Sequence, residues 1–137
     1  KPFDRIKPYR LEFARKIRPS GYKDLYDFWQ QEVNHYLTGR LAREEKVIIN
    51  VASKEYSGVL SKKLLPENTR IVEVIFLQQE GNKFKQIVVH SKKARGLMAR
   101  FIIKNRLNVA EDVKAFDYED YFYYPQLSSE NKWVFVR

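Results

Sequence analysis

Residues Arg70 to His90 read RIVEVIFLQQEGNKFKQIVVH, and the division of this stretch decides the fold. RIVEVIFLQ (70–78) and KFKQIVVH (83–90) are apolar, β-branched runs separated by QEGN (79–82). Two such runs around a glycine-containing connector predict an antiparallel hairpin with a loop longer than two residues. Upstream, KVIINVA (46–52) is a third short run, readable as a buried strand ending near Asn50, after which Ser53 can cap a brief helix across KEYSGVL (54–60). Downstream, a helix is expected to start after Ser91, because Ala94, Leu97, Met98, Phe101 and Ile102 recur at spacings of three and four and so share one buried face. Farther out, Leu25, Phe28, Trp29, Val33, Tyr36, Leu37 and Leu41 mark an amphipathic helix with Asp24 and Asp27 at its start and Arg40 and Arg43 toward its end, in agreement with the helix dipole. Asn108 and Glu111 have capping-box spacing for a short helix running to Phe116, and WVFVR (133–137) closes the chain as a strand. Strands and helices interleaved around a hairpin imply an α/β (α+β mixed) fold: a mixed sheet containing the antiparallel hairpin, with helices packed on it, in a single domain over residues 1–137.

Composition narrows the functions. The 137 residues carry no cysteine, which excludes disulfides, thiolate nucleophiles and cysteine-ligated zinc. His35 and His90 have no metal-ligand companion at helical or hairpin spacing, so neither a metal nor a cofactor is expected. No apolar run is long enough to span a bilayer, and KPFDRIKPYR (1–10) lacks the apolar core of a signal peptide, so the expected compartment is the cytoplasm with no membrane partner. The chain opens without methionine and reads as a processed or truncated product.

The net charge of +9 is concentrated. Residues 1–20 carry seven cations against two acids, and residues 81–110 carry eight cations and no acid. Such concentration suits a polyanion, nucleic acid above all. Within the second segment, a helix starting after Ser91 places Lys92, Lys93 and Arg95 in its first turn, where unpaired amides already supply positive charge. Each cation there costs about 0.3 to 1 kcal/mol, and a bound phosphate would reverse the sign of every term. Gly96 permits close approach, and Arg100, Lys104 and Arg106 extend the positive surface. The alternative is internal pairing with the acidic cluster Asp117, Glu119 and Asp120.

A second constellation is NVASKEY (50–56), at a strand end, where open α/β sheets often bind ligands. Asn50 can hydrogen-bond a base or phosphate, Ser53 can present a helix N-terminus, and Glu55 can act as an acid or base; the plain alternative is a capped helix beside a buried asparagine. Arg10, in PYRLE (8–12), offers a phosphate contact or an internal pair with Glu12. The aromatic set Phe116, Tyr118, Tyr121, Phe122, Tyr123 and Tyr124 is interleaved with acids that would repel a phosphate backbone, so it reads as core and rim packing, as do Trp133 and Phe135.

Five stretches together, PYRLE (8–12), LYDFW (25–29), INVASKEY (49–56), KKARGLMARFIIKNRL (92–107) and SSENKWVFVR (128–137), resemble the YaaA family of bacterial peroxide stress proteins, in the family's order and over nearly the whole chain. Family members are about twice as long, and this chain resembles their C-terminal half. The resemblance implies a cytoplasmic protein with an unusual α/β fold and a positively charged cleft. It also implies binding of DNA, duplex or locally opened, and limitation of oxidative damage linked to free iron. By motif match, Arg10, Asn50, Ser53, Glu55, Lys92, Lys93 and Arg95 belong in or beside the cleft, with Arg100 as a further phosphate contact. Self-association or contact with the missing N-terminal half would be the other partners. The competing reading is an enzyme acting on a nucleic acid or phosphorylated metabolite, with Glu55 as acid or base, Asn50 as orienting group and the basic residues as phosphate clamp.

Overall fold

The structure, a computed structural model, describes residues 5, 12–13, 16–41 and 46–137. The expected mixed sheet is present. Its central strand, β2 (Arg70–Glu80), is flanked by β1 (Val47–Asn50) and β5 (Lys132–Val136), both parallel to it. The short β3 (Lys83–Lys85) runs antiparallel to β2, and β4 (Phe122–Tyr123) runs antiparallel to β5. The strand order is β1-β2-β5-β4, with β3 attached to β2.

The alternation in RIVEVIF places Val72, Val74 and Phe76 on one face of β2, all buried. In register beside them on β5 lie Trp133 opposite Val74 and Phe135 opposite Phe76. The helix α3 (Val88–Lys104) lays Ala94 and Met98 onto this face, and Val113, Phe116 and Tyr121 complete the core. The Phe76 ring meets Phe116, Tyr121 and Phe135 at centroid distances of 5.8, 5.1 and 5.5 Å, within the favourable range for aromatic pairs. The aromatic run therefore packs as the sequence implies, although Phe122 remains exposed. A second, smaller cluster of Phe13, Leu25 and Val59 joins α1 (Leu25–Leu41) to the segment that follows the short α2 (Lys54–Ser57).

Helix α1 begins where its acids predict. The Asp24 carboxylate accepts the Asp27 N–H at 2.9 Å, and Asp27 in turn accepts the Lys23 N–H at 3.0 Å. No described helix is long and apolar enough to cross a membrane.

Three expectations are corrected. The hairpin loop is only Gly81–Asn82, because β2 extends to Glu80; Gly81, with φ at +59°, supplies the left-handed conformation a two-residue loop favours. The second apolar run contributes just Lys83–Lys85 to the strand, and α3 starts at Val88 rather than after Ser91. Val88 and Val89 are consequently three-quarters exposed, while Ser91 is buried inside the helix and donates from Oγ to the Phe76 carbonyl at 3.2 Å. Burial of Ala94 and Met98 against β2 outweighs the β preference of valine and isoleucine. Finally, Asn108 and Glu111 form no capping box. Ala110–Ala115 is a 3-10 helix entered from Val109, and the Glu111 carboxylate pairs instead with Lys114 and with Arg70 at 3.2 Å.

Candidate nucleic-acid interface

Backbone groups on a strand alternate between its two edges. The N–H groups of Glu73 and Gln79 bond toward β5, to the carbonyls of Asn131 and Arg137, whereas that of Arg70 bonds toward β1, to Lys46. Even-numbered positions of β2 therefore face β1 and β3. Strand β1 ends opposite Glu73 and β3 ends opposite Gln78, which leaves a notch at Val74 and Phe76 with no strand partner among the described residues.

A cavity of about 280 Å³ occupies this notch. Its floor is Glu73, Val74 and Ile75; the β1–α2 connection supplies Ala52, Ser53 and Lys54; Gln86 and the α3 residues Val88, Ser91 and Arg95 close the other side. The cavity thus lies beyond the carboxyl end of a parallel strand, as the sequence suggests for NVASKEY, and brings Ser53 together with Arg95. Chemically it offers hydroxyl, amide and cationic groups with one carboxylate, Glu73.

The start of α3 at Val88 changes the electrostatics of its cations. Lys92, Lys93 and Arg95 stand in the second turn and beyond, so the dipole penalty assigned to a first-turn position does not apply to them. Their partners differ. Lys93 Nζ donates to Glu119 Oε1 at 2.8 Å, the internal pairing that the acidic cluster offers. That hydrogen bond, with the Lys93 charge, holds the Glu119 carboxyl below its usual range. Lys92, Arg95 and Arg100 make no ion pair among the described residues; Lys92 and Arg100 are exposed and Arg95 is half-buried at the cavity wall. Between them Gly96 is exposed, and a Cβ built there would meet nothing within 4 Å.

The remaining candidates separate. Asn50 Oδ1 accepts the Ala52 N–H at 3.0 Å, turning the chain at the end of β1. Glu55 Oε1 accepts the Phe13 N–H at 2.9 Å, tying the preceding segment to α2. Neither lines the cavity. Ser53 stands at the N-cap position of α2, but its side chain makes no capping hydrogen bond, and a four-residue helix has little dipole to offer. Arg10 lies outside the described residues. No group of three or more histidines, aspartates or glutamates that could hold a metal occurs among the described residues.

Sequence reasoning passed over Ser91, Gln86 and Glu73. Ser91 carried a usable signal, since a serine three residues before Ala94 falls on the buried face once α3 is extended backward. The notch depends on where two short strands stop: the end of β1 near Asn50 was readable, whereas the end of β3 at Lys85 was not.

The family described as Peroxide stress protein YaaA matches residues 1–127. Two UPF0246 proteins of Clostridium perfringens, from strains ATCC 13124 and 13, are each 41% identical over the whole of this chain, and that of strain SM101 is 43% identical. The chain spans about half the length of these relatives, 54% in each case. On the family match and on this identity, the chain belongs to the YaaA (UPF0246) family of peroxide stress proteins.

Proposed function

We propose that this chain serves the peroxide stress response by binding DNA, holding the phosphate backbone along the outer side of α3 and so limiting oxidative damage linked to free iron. A role in peroxide stress follows the family; DNA binding rests on electrostatics. The observation that carries it is the set Lys92, Arg95 and Arg100, three cations without an ion pair among the described residues, arranged around the open Gly96. They lie in a thirty-residue segment without an acid. A duplex, or a strand locally opened from one, presents regularly spaced phosphates, and glycine lets one approach the helix backbone closely. Ser53 and Lys54, across the notch from Arg95, extend the contact toward the β1–α2 connection. Arg10 and the rest of the longer protein would supply the other contacts.

The test is charge reversal. Lys92→Glu, Arg95→Glu and Arg100→Glu together should reduce affinity for a short duplex at least a hundredfold, at about 1 to 2 kcal/mol for each reversed phosphate contact. Lys62→Glu with Lys63→Glu, on the α2–β2 connection, should change it little. Equal losses from the two sets would mean a diffuse basic surface and refute a defined site.

A further inference from the structure

On the opposite flank of α3 from Arg95, a cavity of about 150 Å³ is lined by His90, Lys93, Ala94, Glu119, Tyr121 and Arg137. Lys93 and Arg95 are about 200° apart around the helix, so this pocket and the notch do not share a wall of side chains. We propose that it is a second binding site, for a small oxyanion presented as a phosphate or carboxylate group, held by Arg137, Lys93 and the Tyr121 hydroxyl.

Tyr121 is the first indication. Its side chain is 2% exposed, and a phenol so deeply placed normally finds a hydrogen-bond partner. The Tyr121 hydroxyl has none among the described residues. No described polar side-chain atom sealed from solvent lacks a partner, so this hydroxyl is open to solvent, and its residue lines the cavity. Burial raises its pKa, which keeps it a proton donor at neutral pH.

Arg137 is the second. Its guanidinium lies 5.1 Å from the Tyr121 ring centroid, and Nη2 bridges His90 Nδ1 at 2.6 Å and Gln78 Oε1 at 3.3 Å. His90 Nδ1 also lies 3.1 Å from Gln78 Oε1, so the three groups form one polar cluster behind the guanidinium. The Nε and Nη1 donors of Arg137 make no hydrogen bond among the described residues. The group is thus anchored from behind with donors to spare.

The mouth shows what the site holds. Glu119 and Asp120 both adopt left-handed backbone, with φ of +57° and +61°, a conformation residues other than glycine seldom take. This turn brings the Glu119 carboxylate onto Lys93 at 2.8 Å, and the charge of Arg137 also acts on it. The protein's own oxyanion already rests at the rim. Two cations against one carboxylate leave a surplus positive charge for an incoming monoanion at Arg137 and Tyr121.

The intact protein would be titrated with inorganic phosphate and, separately, with acetate, following the His90 and Tyr121 resonances by NMR. At least one anion should give saturable shifts at both residues; phosphate alone would identify phosphate esters as the ligand class, acetate alone carboxylates. Tyr121→Phe should weaken that binding about tenfold, the loss of one hydrogen bond to a charged group. Glu119→Gln, which removes the competing charge at the rim, should strengthen it about two- to fivefold. DNA affinity should be unchanged in Tyr121→Phe. If circular dichroism shows that this variant has lost its fold, Arg137→Gln takes its place with the same expected loss. Absence of saturable shifts with both anions, or wild-type affinity in the substituted protein, would overturn the proposal, and a parallel fall in DNA affinity would overturn the independence of the pocket.

Discussion

Asn34 is wholly buried in α1, and its amide is fully used: Nδ2 donates to the carbonyls of Gln30 at 2.6 Å and Val59 at 2.7 Å, while Oδ1 accepts the Ser61 N–H at 2.9 Å. It thereby ties α1 to the segment following α2, beside a cluster with few buried apolar residues. Replacing it with alanine should lower stability by about 2 to 4 kcal/mol, because the Val59 carbonyl and Ser61 N–H are left without a partner. Asn34→Asp should be no better, since it turns an acceptor toward two carbonyls. Chemical denaturation compares the three proteins, and a loss within about 0.5 kcal/mol would contradict the role assigned. Nothing in the sequence singles out Asn34. It lies between Val33 and Tyr36 on a helix whose apolar stripe reads well without it, and its partners are residues 25 and 27 positions away. Asn50 and Glu55 show the same limit. Their positions at a strand end were readable, whereas the backbone amides they accept depend on the folded path of the chain.

At the scale of elements, α3 was legible along its buried face and misread at its start. Ala94, Leu97, Met98, Phe101 and Ile102 have the helical period, but IVVH before them is equally good strand sequence, and only packing against β2 decides between the two. The error mattered for function, because moving the start to Val88 takes three cations out of the first turn. What remains is the absence, among the described residues, of ion pairs at Lys92, Arg95 and Arg100 rather than a dipole penalty. Gly96 provides a test. With open space around it, Gly96→Ala should stabilise the helix by about 0.5 to 1 kcal/mol. If a phosphate rests against this backbone, the same substitution should weaken DNA binding several-fold. A more stable protein with unchanged DNA affinity would place the phosphates elsewhere.

Across the whole molecule, the mixed sheet and its hairpin were readable from apolar runs and turn residues, while the pairing of β5 with β2 joins segments some sixty residues apart. The pairing of Arg70 with Glu111, 41 residues away, was likewise hidden. Glu111 bonds Lys114 foremost, and Arg70 as well, so its carboxyl titrates below the usual value of 4.5; the hydrogen bond to Glu111 raises Lys114 above its usual 10.5. A depressed carboxyl contributes stability present above 4.5 and lost as pH falls through the lowered value; a raised amine contributes stability present below 10.5 and lost as pH rises through the raised one. These exposed pairs should thus give a flat contribution between those limits, at most about 1 kcal/mol after solvent screening. Glu111→Gln should shrink the acid-side loss in a pH series of thermal midpoints, and an unchanged series would show the pairs to be inconsequential.

The concentration of charge on α3 was visible from the start, and its consequence is measurable in the salt dependence of DNA affinity. Each phosphate contact contributes about 0.9 to the slope of log affinity against log salt. The slope measured for the intact protein between about 50 and 200 mM salt should flatten by about 2 to 3 when Lys92, Arg95 and Arg100 are replaced by glutamine. An unchanged slope would contradict a phosphate site on this helix.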